Sequence, residues 1–161
     1  MLVNRFLPRV VAAIPKFGLS DLFGDPATVR RALEAARVWR HAKYREQVGA
    51  FYSLVADLLP DEASASLRTE NVELPKLEGR PMIFEAKIYR TSFGEVRMEP
   101  RGINTLTPRG RVDLSGPQGT VSVLVDLENG EWRVELGGAN DIQPLSVQSL
   151  TRAFRLILIN D

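Results

Sequence analysis

The feature that most constrains this chain is a change of period. Residues 25–59 place apolar side chains at steps of three and four. From residue 68 onward the steps become two. In the first stretch Gly24-Asp25-Pro26 is a helix start: Asp25 can cap, and Pro26 sits where its missing N–H costs nothing. Val29, Leu33, Ala36, Trp39 or Arg40, Tyr44, Val48, Phe51, Val55 and Leu58 then form one stripe, until Pro60 ends it. The spacing predicts a helical segment over 25–59, either one bent helix or two broken between 40 and 43.

The second stretch is punctuated by turn residues. Arg68 to Leu74 is a strand candidate with few apolar residues. Arg80 to Arg90 alternates strongly, with Met82, Phe84, Ala86 and Ile88 on one face. Ser92-Phe93-Gly94 suits a three-residue hairpin loop, which would pair Thr91 with Glu95, Ile88 with Met98, Lys87 with Glu99 and Glu85 with Arg101. Glu128-Asn129-Gly130-Glu131 suits a two-residue turn, pairing Leu127 with Trp132 and Val125 with Val134. A loop at Gly116-Pro117-Gln118-Gly119 would pair Ser115 with Thr120, Leu114 with Val121 and Val112 with Val123. Leu124 is then a lone apolar residue on the opposite face. Thr105 and Thr107 fall in a bent or edge element, and Gly137 to Asn140 is expected to end the sheet. Ser146 caps a C-terminal helix over 146–157, with a strand over 155–159 as the alternative.

Helices first and consecutive short-looped strands afterwards argue for an α+β class, because such loops leave no room for crossover helices. The expected architecture is a long N-terminal helical segment on a curved antiparallel sheet of five or six strands (residues 68–137), with a short C-terminal helix. This element order resembles the cystatin-like and nuclear-transport-factor-like cone folds, over residues 26–136 and at the level of order alone. Such folds host enzymes and binding modules alike, so the resemblance implies no site residue.

At 161 residues the chain fits a single domain. Residues 1–24 are expected to form an arm or short helix. Arg9 interrupts their apolar run, which argues against a secretory signal, while an organelle-targeting segment stays open. No apolar run is long enough to span a bilayer, and a cytoplasmic location is expected. The chain has no Cys and one His, which excludes thiol nucleophiles, thiolate metal sites and multi-histidine sites. The net charge of +1 hides an asymmetry. Residues 1–60 hold nine Lys or Arg against five Asp or Glu, a net +4, and the remainder carries −3. The two halves therefore suit each other, or a partner of matching pattern.

The residues singled out for ligand binding are Arg37, Trp39, Arg40, His41 and Tyr44, where bases and aromatics interleave on the helical segment. The competing reading is a solvated helix face with arginine stems over apolar surface. No Walker loop, Rossmann glycine pattern, nucleophile elbow or calcium loop occurs, so no cofactor or metal is expected. Asp61-Glu62, the one adjacent acid pair at a helix end, reads as a solvated connector. The first functional expectation is a non-enzymatic binding or interaction domain, using a sheet face or a helix–sheet cavity and possible as a homodimer. Its partner would be a protein, a second copy or a small apolar ligand. The second is a small hydrolase, isomerase or lyase with His41 or a buried carboxylate as base. The third is anion or RNA binding along the basic helix, although the overall charge balance argues against nucleic acid.

Overall fold

The computed structural model describes residues 25–77, 80–104, 107–138 and 140–160. The arm expected over 1–24 and Thr105 lie outside them. Helix α1 runs unbroken from Pro26 to Leu58, so the segment is one helix. The Asp25 carboxylate accepts the Thr28 amide at 3.2 Å, the cap that its position suggested. The chain divides into two compact units after Ala42.

In the first unit, the helical residues 26–42 leave Leu33 49% and Val38 44% exposed. In the second unit the helix buries Tyr44, Gln47, Val48, Phe51, Tyr52 and Val55. The three–four spacing thus becomes a core face there, each large side chain contributing about 1.5–3 kcal/mol by leaving water. A short helix α2 (Asp61–Ala65) follows, where a polar connector was expected.

Seven strands then form one antiparallel sheet in strict chain order: β1 (Arg68–Leu77), β2 (Arg80–Thr91), β3 (Gly94–Ile103), β4 (Arg109–Gly116), β5 (Gly119–Asp126), β6 (Trp132–Glu135) and β7 (Ile142–Pro144). The count is seven, not five or six. Gly137-Gly138 turns the sheet where it was expected to end it: Gly138 takes a left-handed φ of +78°. The Leu136 amide then donates to the Asp141 carbonyl, and Ile142 pairs with Glu135. Helix α3 (Val147–Leu158) closes the chain. It packs on β3 to β6, and its Leu150, Ala153 and Ile157 share one core with α1 and the inner sheet face.

Three hairpins test the expected registers. The β4–β5 register is as expected, with Ser115 opposite Thr120 and Val112 opposite Val123. The β5–β6 register is displaced by two, placing Val125 opposite Trp132 and Val123 opposite Val134. Asp126 causes this. Its carboxylate accepts the amides of Glu128 and Asn129, its carbonyl accepts the Gly130 amide, and a longer loop results. A shift of two keeps every side chain on its face. The β2–β3 register is displaced by one, with Thr91 opposite Gly94 and Ile88 opposite Arg97. Thr91 closes the tighter turn, its hydroxyl donating to the Gly94 carbonyl and accepting the Phe93 amide. This slip flips faces. Tyr89 lies opposite Val96 in the core, and the expected pairs Lys87–Glu99 and Glu85–Arg101 do not form.

The sheet forks between β2 and β3. Their ladder ends at Lys87 opposite Met98, while β2 stays paired with β1 down to Arg80. The Tyr52 hydroxyl stands at the fork, 2.6 Å from the Glu85 carbonyl and 3.3 Å from that of Met98. Met82 and Phe84 enter the main core beyond it, whereas Ala86 and Ile88 are buried outside that core. Helix α2 packs on β2, with Ala63 buried.

Candidate functional site

The residues named from sequence are distributed between the two units. Arg37 is exposed, and Trp39, Arg40 and His41 are half-buried, all in the first unit. Steps of three and four put Arg37, Arg40 and His41 on one helix face, with Trp39 off it. Tyr44 lies in the second unit and is fully buried. Its ring meets Phe84 at 5.2 Å, so it offers no surface for stacking a ligand. Its hydroxyl donates to the Arg111 carbonyl and accepts the Gly102 amide at 3.1 Å.

That pair of hydrogen bonds marks a β-bulge. β3 shifts register between Pro100 and Gly102, and Gly102 has φ +98°. The Tyr44 hydroxyl takes the place of a strand partner there, and burial pushes its pKa up to about 12. Arg101 is the residue left without a ladder partner at the shift. Arg109 and Arg111 follow on β4 at a spacing of two, hence on one face. Leu124 of β5 lies opposite Arg111 and leaves its side chain half-buried on the outer face.

Together Arg101, Gly102, Ile103, Arg109, Arg111 and Leu124 line a groove of about 550 Å³. Asp113 anchors one wall. It is held by Arg111 through two bonds, of 2.6 and 3.1 Å, and by Arg101 at 3.5 Å. The bond to Asp113 pushes the Arg111 guanidinium further up from its ordinary value. The network continues outward: Arg101 pairs with Glu99, and Arg97 with both Glu99 and Glu70. Bonds from Arg97 hold the carboxyls of Glu99 and Glu70 below the usual range. A hydroxyl in the groove wall, that of Thr107, is buried with no hydrogen-bond partner among the described residues.

In the second unit, side chains of α1 and of the inner sheet face share one buried core. Phe51 stacks on Trp132 at 4.9 Å, and the Trp132 indole N–H donates to buried Gln47 at 3.3 Å. A second groove, of about 460 Å³, lies by Trp132, Arg133, Ile142 and Pro144 at the β6–β7 edge. Among the described residues no cluster of His, Asp and Glu has the makings of a metal site, and no helix is long and apolar enough to cross a membrane.

The arginine groove was missed in the sequence because its walls come from three strands. Two sequence features would have located it: the Arg109-Gly110-Arg111 alternation, which the sequence reading did not use, and the lone outward Leu124. No protein-family model, curated protein or solved structure matches the chain.

Proposed function

We propose that this chain is a non-enzymatic binding domain that engages a protein partner through the groove at the β3 bulge. The observation that carries the reading is the groove itself: three arginines and an apolar residue gathered on an outer sheet face. Between helix and sheet, Phe51 stacks on Trp132 and Gln47 accepts the Trp132 indole N–H, so the side chains named there serve packing. Grooves lined by arginine beside exposed apolar surface are common at interfaces, where Arg and aliphatic contacts combine.

The test is selection of peptides from a random displayed library on the wild-type protein and on Leu124→Trp. Leu124 lies outside the core cluster, so the bulkier indole fills the groove without disturbing the interior. Peptides that enrich on the wild type and fail on Leu124→Trp are expected. No enrichment, or equal binding to both proteins, refutes the reading.

A further inference from the structure

We propose that the groove selects a carboxylate: an Asp or Glu side chain of a partner polypeptide, adjacent to an aliphatic residue, with Arg109 as its ion-pair partner. The proposal rests on the reading of the groove as a binding site and adds the chemistry of what it binds.

Of the arginines lining the groove, only Arg109 lacks an ion pair among the described residues. Three guanidinium groups line the groove, and two carboxylates, Glu99 and Asp113, are bonded to them. Asp113 is held by Arg101 and Arg111, and Glu99 by Arg101 and Arg97. Arg109 lies directly across the ladder from Asp126, where a cross-strand ion pair would be natural. Asp126 instead turns its carboxylate to the amides of Glu128 and Asn129, at 2.9 and 3.4 Å. Arg109 is exposed and forms no ion pair among the described residues, which leaves its guanidinium open to a partner.

Arg111 shows what such a guanidinium accepts in this groove. It grips Asp113 through Nε and Nη2, the two-point geometry in which Arg matches a carboxylate. A carboxylate on a partner would repeat that pairing at Arg109.

Two further features narrow the ligand. Leu124 sits in the ladder between Arg111 and Arg133, giving an apolar floor beside the charges. An aliphatic side chain next to the acid would cover it. The neighbouring acids act the other way. Glu99 and Asp113 stand beside the arginines, and the field of Glu135 reaches Arg111. A nucleic-acid backbone, with a charge at every phosphate, would meet these carboxylates along its path. A single acid flanked by apolar residues avoids them.

The experiment uses the full chain, labelled with ¹⁵N, and three capped heptapeptides, Gly-Gly-Leu-Xaa-Leu-Gly-Gly with Glu, Gln or Lys in the centre. An oligouridylate is the nucleic-acid arm. Amide shifts at Gly110, Arg111 and Leu124 report occupancy. The Glu peptide is expected to shift these amides saturably. The Gln peptide should bind about tenfold more weakly, the loss expected for a hydrogen-bonded charge pair. Arg109→Ala should weaken the Glu peptide by a similar factor and leave the Gln peptide unchanged. Arg68→Ala, on β1, should change neither. Equal binding of Glu and Gln peptides, or indifference to Arg109→Ala, overturns carboxylate selection while leaving the groove as a binding site. Tighter binding of oligouridylate also overturns it. No shift at the groove amides with any probe overturns both readings.

Discussion

Gly110 on β4 faces the core directly beneath the Tyr44 ring. A Cβ there would be driven into two ring carbons of Tyr44 and would stand 3.0 Å from a methyl carbon of Val125. Neither neighbour can give way easily. Tyr44 and Val125 are both fully buried, and the Tyr44 hydroxyl is tied to Arg111 and Gly102. Ala is otherwise favoured over Gly inside a strand by about 0.5–1 kcal/mol. Overpacking a tight core costs about 1–3 kcal/mol and occasionally more. The clash wins, and Gly110→Ala should destabilise the protein by about 2 kcal/mol or more. With a urea m-value of about 2 kcal/mol/M, the unfolding midpoint falls by about 1 M. The cause can be isolated by a double-mutant cycle. In a Tyr44→Leu background the ring is gone, and Gly110→Ala should lose most of its cost. A Gly110→Ala protein with the wild-type midpoint, or an equal cost in both backgrounds, refutes the reasoning.

Three other outcomes follow from the structure. All three tyrosines of the chain, Tyr44, Tyr52 and Tyr89, have pKa values raised by burial, Tyr44 to about 12. Above the unfolded value of about 10 the native state therefore keeps more protons than the unfolded one, so their contribution to stability is complete below about pH 10 and is lost as pH rises toward and beyond 12. Absorbance at the phenolate band should stay low through pH 10 and rise together with loss of structure; an ordinary titration at pH 10 in the folded protein contradicts it. Thr107→Val removes a buried hydroxyl without a partner among the described residues, and thermal unfolding should show unchanged or slightly higher stability, by up to about 1 kcal/mol; a clear loss would mean the hydroxyl is bonded. Ser146 caps α3 through a reciprocal pair with Ser149, at 3.0 and 2.8 Å, so Ser146→Ala should cost about 1 kcal/mol in the same assay; no change would argue that the cap is idle.

Legibility in the sequence followed the locality of the signal. The β4–β5 register was readable because Gly116 to Gly119 sets it within four residues and both flanks alternate cleanly. At β2–β3 the same cues indicate a register one residue from the one that forms. Gly94 suggested a loop position, but the Thr91 hydroxyl closes a tighter turn, and both faces of β2 are apolar enough near Ile88 and Tyr89 to accept either register. The helical stripe was legible, but not where its burial begins: Leu33 and Tyr44 look alike in period and differ wholly in exposure. Of the candidate site, the pairing of Arg109 with Arg111 was visible in their spacing. Their assembly with Arg101 was not, because it depends on a bulge held open by a phenol contributed from α1. The sequence pattern marks Tyr44 for its aromatic face, while its hydroxyl does the structural task.

The bond from Gly102 to Tyr44 has a consequence for how the protein breathes. Most amides in a meander are guarded by the neighbouring strand, and their hydrogen exchange reports the opening of a hairpin. The Gly102 amide is guarded by a side chain 58 positions earlier in the chain. Its exchange rate therefore gauges the docking of the helix on the sheet, one amide reading a tertiary contact while its neighbours read the ladder.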